Sequence, residues 1–235
     1  MRTIYGECSS FAVWDPPSGE RIVRLYDLAE FQAKDRSSYE KQLKPRLRPD
    51  VMIVALNFAN RKGQRHLPSF AAFHEFTDQD DNYADPAIFN VHFDKMITGT
   101  DFEGAYITDL VKFDEGGEGP KPQRQSRADE IEKRLERNEQ DERGQVEGLC
   151  DEIKLLRRDQ PTDQPFVLAS CHRVTTQVLE RQKDLITDLL GFEPILVNFL
   201  HYSYRNGEPA EVLCKKRASV QRAIQKAKSN NWLPA

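Results

Sequence analysis

Residues Val51-Met52-Ile53-Val54-Ala55-Leu56 form an unbroken apolar run that ends at Asn57. A run this short, rich in β-branched side chains, predicts a strand buried on both faces. Runs at 104–112, 164–170 and 194–200 repeat the pattern and predict three more strands. Between the last two, Val174, Val178, Leu179, Leu185, Ile186, Leu189 and Leu190 recur near helical spacing and stop at Gly191, a C-cap residue. A closing helix is predicted over 216–230, and helical segments over 69–76 and 86–97. Strands that alternate with helices pair in parallel through right-handed crossovers. The expected fold is therefore α/β: a three-layer α/β/α sandwich with a central four-stranded parallel sheet.

Two regions depart from this alternation. Residues 1–49 read as an N-terminal extension, with short strand-like runs at 10–14 and 20–26. The intervening Asp15-Pro16-Pro17-Ser18-Gly19 is turn chemistry, so an N-terminal β-ribbon packed on the core is expected. Residues 50–235 form the α/β/α domain, with a charged helical insertion at about 113–150. Ser126 to Asp129 fits a capping box that opens one charged helix from Ala128 to Arg143. Ile131 and Leu135 are its main apolar positions, which predicts a solvated excursion with a thin contact stripe. The helix can resume at Val146, Leu149, Cys150 and Ile153 and pack on the sheet.

Composition narrows the function classes. The chain has 235 residues, 38% hydrophobic and 31% charged, a size that suits one open α/β domain. No apolar run approaches the roughly 18 residues of a membrane span, and Met1 to Cys8 lack the core of a signal peptide. A cytoplasmic protein without a membrane partner is expected. Cys8, Cys150, Cys171 and Cys214 are scattered and predict reduced, mostly buried thiols. Asp78, Asp80 and Asn82 begin like a calcium loop, but Tyr83 stands where Gly is needed and Phe89 where the bidentate Glu should be. His66, His74 and His92 show no tight ligand spacing, so no metal is expected. GxGxxG, GxxxxGK[ST] and GxSxG motifs are absent, and no cofactor is expected. The net charge of −4 argues mildly against a dedicated duplex-DNA binder. A nucleic-acid contact would need a local basic patch, for which Arg61, Lys62, Arg65, Lys112 and Arg205 are candidates.

The candidate site comes from strand ends. Open α/β sheets deliver chemistry at their carboxyl edges. Asn57 ends the first central strand, His201 follows the fourth, and Asp109 interrupts the second. Taken singly, Asn57 suits a turn, His201 a ring satisfied by backbone, and Asp109 a sheet edge. Their convergence on one edge makes a site. Phe70, Phe73 and Phe76 read as one buried helix face, or as a stacking wall for a planar ligand.

Together these residues resemble the uracil-DNA glycosylase superfamily over roughly residues 50–230. The resemblance lies in Ala55-Leu56-Asn57-Phe58, in Tyr106-Ile107-Thr108-Asp109-Leu110-Val111-Lys112, in Cys150 to Leu155, and in His201-Tyr202-Ser203. It implies an N-glycosylase that removes a base flipped from DNA. Asn57 would position the attacking water and His201 would stabilise the leaving base. Phe58 or Phe70 would stack on the base, with Asp109, Ser203 and Tyr204 completing the substrate-binding wall. The sequence carries Phe58 and Tyr202 where the motifs have Pro, and Asp109 where an Asn reads the uracil edge. Ionised Asp only accepts hydrogen bonds and would repel the uracil O4. Two other readings use the same residues. One is a non-catalytic module binding a nucleotide or protein in the same cleft. The other is a metal-dependent nuclease, which would need Asp109 and the 78–85 loop to converge.

Overall fold

A computed structural model describes residues 10–12, 44–57, 59–60, 93, 95–112, 123–124, 128–161, 163–201 and 209–232. The central sheet is built from β1 (Ser10–Phe11), β2 (Arg48–Asn57), β4 (Ala105–Val111), β6 (Val167–Ser170) and β7 (Ile195–Asn198), in the spatial order β1-β4-β2-β6-β7. The four strands from β4 to β7 are mutually parallel, and β1 pairs antiparallel with β4 at the edge. The strands lie close to the predicted runs. Ser10–Phe11 falls within the first run of the expected N-terminal ribbon; the second run lies outside the described residues.

β2 begins earlier than the apolar run suggests, at Arg48, with Pro49 inside it. Proline has no N–H to give the ladder. The pairing with β4 accordingly shifts register between Arg48 and Met52.

Two apolar layers sandwich the sheet. Val51, Ile53 and Ala55 join Ile107, Ala169 and Val197 against Phe93, Met96 and Ile97 and against Val220, Ala223, Ile224 and Ala227 of α5 (Pro209–Ser229). Met52, Val54, Leu56, Leu110 and Leu168 face the other layer. That layer comprises α1 (Ala128–Arg137), α2 (Glu139–Leu156), α3 (Arg173–Arg181) and α4 (Lys183–Leu190). Each fully buried aliphatic side chain contributes about 1.5–3 kcal/mol of transfer free energy. A three-layer α/β/α sandwich with a four-stranded parallel sheet is thus the fold.

The helices differ in detail from their predicted spans. The predicted helix Ala128–Arg143 is two helices, because Asn138 caps α2 by accepting the Asp141 N–H at 3.0 Å. Ile131 and Leu135 are each 2% exposed within the core, so α1 is more firmly packed than a solvated excursion. The predicted helix 174–190 breaks at Gln182, whose side chain donates to the buried Glu142 at 2.6 Å, alongside Arg181. Gly191 ends α4 in the left-handed region at φ 75°, as its place in the pattern predicts.

Chain order places the switch point. From β2 the chain crosses to β4 on one side, then returns past β2 to β6 and β7 on the other. The crossovers leave β2 in opposite directions, and the carboxyl edge between β2 and β6 is where ligands of open α/β sheets bind. The chain leaving β2 and the chain leaving β4 meet again beyond that edge. There β3 (Ala59–Asn60) pairs in parallel with β5 (Gln123–Arg124).

Candidate active site

At the switch point, β2 ends with Asn57, whose backbone pairs with Val111 of β4. On the other side of the switch, β6 runs into Cys171 and His172. The Cys171 N–H donates to the Val54 carbonyl at 3.1 Å, which continues the ladder one step past the strand. The Thr175 hydroxyl on the first turn of α3 donates to the Ala55 carbonyl at 3.0 Å. These bonds fix the start of α3 against the end of β2.

His172 is the N-cap of α3, and its Nδ1 accepts the Val174 N–H at 3.2 Å. An accepting Nδ1 carries no proton, so the neutral ring bears its proton on Nε2. Burial, followed by the Arg173 charge, holds its pKa below the ordinary histidine value.

His201 is delivered from β7 by two backbone anchors. The Phe199 N–H donates to the Ser170 carbonyl at 3.0 Å, and the Leu200 N–H donates to Ser219 Oγ of α5 at 3.0 Å. The His201 ring meets that of His172 edge to face, with centroids 5.3 Å apart and planes at 90°. Burial is the main cause that pushes the His201 pKa down to about 3, followed by His172 and by the fully buried Lys216 of α5. A ring that stays neutral at pH 7 can donate a hydrogen bond without carrying charge into the site.

Asp109 lies on β4 two residues before the row in which Asn57 pairs with Val111. Its Cα pairs with that of Ala55, and it is 4% exposed on the face that carries Ile107 and α5. Burial raises its carboxyl to about 7; Lys112 opposes that rise and Glu152 adds to it. Near neutral pH the group is therefore divided between carboxylate and carboxylic acid. Burial, then the Asp109 charge, keeps the Cys171 thiol far above its ordinary range. Cys171 is 0% exposed with its sulfur 3.7 Å from the Val54 carbonyl, so it is a core thiol rather than a nucleophile.

Chemistry on the opposite face of β4 has a structural character. Lys112 Nζ lies 2.7 Å from Glu152 Oε2, and both side chains are at most 2% exposed. Glu152 Oε1 also accepts from the Tyr106 hydroxyl at 2.6 Å and from Thr108 Oγ1 at 3.0 Å. Lys112 is thus bound to α2 and does not line the carboxyl edge; Arg61, Lys62, Arg65 and Arg205 lie outside the described residues.

The structure brings His201 to the edge where β2 ends in Asn57, with Asp109 buried in the neighbouring strand. Phe58, Phe70, Ser203 and Tyr204 lie outside the described residues, as does the 77–86 loop. Among the described residues no group of three or more His, Cys, Asp or Glu could hold a metal ion, and no helix is long and apolar enough to cross a membrane.

Compared with known protein families, curated proteins and solved structures, the chain matches none.

His172, Thr175 and Lys216 went unrecognised as site residues in the sequence. The usable signal was Ser170-Cys171-His172, where a buried strand ends one residue before a helical pattern begins. That is an N-cap position at a sheet edge, a stronger indication than the Cys-His adjacency itself.

Proposed function

We propose that this edge is a nucleobase site and that the protein is a divergent base-excision N-glycosylase. The observation that carries the reading is His201: a half-buried imidazole packed edge to face on His172, at the same carboxyl edge of the sheet where β2 ends in Asn57. In N-glycoside hydrolysis, water adds at C1′ and the C1′–N bonding pair leaves with the base. A ring N–H of neutral His201 would donate to the oxygen on which that negative charge develops. A fixed donor of this kind acts in a desolvated site without reorganisation. Asn57 would orient the water through its amide, which both donates and accepts.

Asp109 fits this reading through its protonated form. A carboxylic acid offers an O–H donor and a carbonyl acceptor, the same complement as an amide. Protonated Asp109 could therefore read a pyrimidine carbonyl edge that the carboxylate repels.

The test is excision from oligonucleotides carrying uracil, hypoxanthine and other altered bases, with wild type, Asn57→Ala and His201→Ala. The expected result is release of at least one base, with the His201→Ala rate lower by about 10²–10³-fold, the effect of removing one preorganised donor. If the wild type releases no base, the glycosylase reading fails. Retained binding of free bases would then identify a non-catalytic module.

A further inference from the structure

Among the described helices, α1 and α2 differ sharply in charge from α5 on the opposite layer. The helices α1 and α2 together carry ten Asp and Glu against five Lys and Arg. On that layer cations are largely neutralised, as in Arg134 with Asp141, Arg143 with Glu147 and Arg181 with Glu142. On the opposite layer, α5 carries six Lys and Arg and a single Glu, within a chain whose net charge is −4.

The positive charge on α5 is also ordered. Lys215, Arg222 and Lys226 are exposed and fall at i, i+7 and i+11. At 100° per residue they lie within about 40° of one another, along about 16 Å of helix axis. Between Cys214 and Ser229 the helix has no acidic residue. Among the described residues, Lys215 has a long contact of 3.9 Å to Glu211, Arg222 has no ion pair, and Lys226 has none but lines a cavity that Glu180 also lines. By contrast, Arg217 and Lys228 point elsewhere: Arg217 donates to the Lys95 and Thr98 carbonyls, and Lys228 pairs with Asp101 at 2.8 Å. The stripe starts at the site, since Lys216 and Ser219 on the same helix face His201 and Leu200.

We propose that the exposed flank of α5 beside β7 carries the sugar-phosphate backbone of a nucleic acid, with Lys215, Arg222 and Lys226 as its phosphate contacts. The row leads the strand toward the His201 edge, while the acidic α1–α2 layer repels it from the other side. Opposed faces of this kind orient an approaching polyanion before contact. The choice of nucleic acid among polyanions rests on the nucleobase reading of the site; the charge geometry does not.

The experiment measures fluorescence-anisotropy binding of labelled DNA and RNA oligonucleotides against NaCl concentration. Wild type is compared with the K215Q/R222Q/K226Q variant and with a K133Q/R137Q/K154Q control on the acidic layer. The log–log salt slope of the α5 variant is expected to flatten by about 2–3, near 0.7–0.9 per lost phosphate contact. The control should keep the wild-type slope, and both variants should keep the wild-type Tm. The tighter arm identifies DNA or RNA as the source of the backbone. An unchanged slope in the α5 variant, an equal loss in the control, or no oligonucleotide binding by the wild type would overturn the proposal. So would stronger binding to phosphatidylserine vesicles than to either oligonucleotide. Binding without base release would sink the glycosylase reading and leave the α5 surface standing.

Discussion

The rings of His172 and His201 meet edge to face beyond the carboxyl ends of β6 and β7, 5.3 Å apart, although 29 positions separate them in the chain. One ring caps α3, and the other is carried from β7 on anchors to β6 and α5. Each shields the other from water, and desolvation is the leading cause of both lowered pKa values. Packing thus favours the neutral form of both rings, and at His172 it outweighs the opposing pull of Glu132.

This predicts two separable effects at His172. His172→Ala removes the acceptor of the Val174 N–H and should cost about 1 kcal/mol, the usual value of an N-cap; His172→Asn should restore most of it. Both variants open the His201 ring to water, so its pKa should move up from about 3 toward the ordinary histidine value. NMR titration of the His201 ring protons reads the shift. A wild-type His201 that titrates near 6.5 would contradict the packing argument. The sign for stability follows from the same pKa. The unfolded chain takes a proton near pH 6.5 and the folded one does not, so this stability is fully present above 6.5 and declines as pH falls toward 3.

Asp109 has the opposite sign. Its folded pKa of about 7 lies above the unfolded value of 3.8, so the folded chain holds the proton longer. The contribution to stability is complete below about pH 4 and is lost as pH rises through 7. Asp109→Asn should therefore stabilise the protein at pH 8 by about 2–4 kcal/mol and change little at pH 4. Urea unfolding at the two pH values measures the difference. Equal effects at both would show that Asp109 is ionised in the fold across this range.

The four parallel strands were legible because strands buried on both faces must be apolar throughout, and Val51 to Leu56 shows little else. Gly191 was legible because a left-handed C-cap has few alternatives. The helix breaks at Asn138 and Gln182 were not. Gln182 breaks its helix where its side chain meets Glu142, 40 residues away in sequence, and no local pattern announces that partner. Lys112 looked like a surface cation for the same reason, since Glu152 reaches it from α2. Asn57 and His201 could be assigned to one edge from strand ends alone. The protonation of Asp109 and the contact between His172 and His201 depend on burial, which emerges only when the layers close.

The Lys112–Glu152 pair allows a test of what holds α2 against β4. Lys112→Met alone leaves a carboxylate buried among the Tyr106 and Thr108 hydroxyls, and should cost about 3–5 kcal/mol. Glu152→Gln alone removes the carboxylate that the ammonium contacts and should cost a similar amount. In the double variant both members of the pair are gone, and the introduced amide oxygen still accepts from the two hydroxyls. Its loss should fall below the sum of the singles by about 1–3 kcal/mol. Chemical denaturation of the four proteins gives the coupling. Strict additivity would mean that water reaches one of the two charged groups.

Gly104 and Gly191 share a left-handed backbone, with φ of 85° and 75°, but differ in what surrounds them. A Cβ at Gly104 would lie 1.8 Å from the Arg46 carbonyl oxygen, whereas one at Gly191 meets nothing within 4 Å. Gly104 cannot retreat, because its N–H donates to the Ala12 carbonyl at 2.7 Å and its carbonyl accepts the Arg48 N–H at 2.8 Å. It therefore joins the start of β2 and the Ala12 segment to the entry of β4. Gly191→Ala should carry only the conformational cost of a left-handed alanine, about 1–2 kcal/mol. Gly104→Ala adds a backbone clash and should cost at least about 3 kcal/mol, with loss of amide protection at Ala12 and Arg48. Thermal unfolding ranks the two variants, and hydrogen exchange at those two amides locates the damage. Equal costs would mean that the Arg46 carbonyl can swing aside, and that the junction of β2 with β4 is softer than its hydrogen bonds indicate.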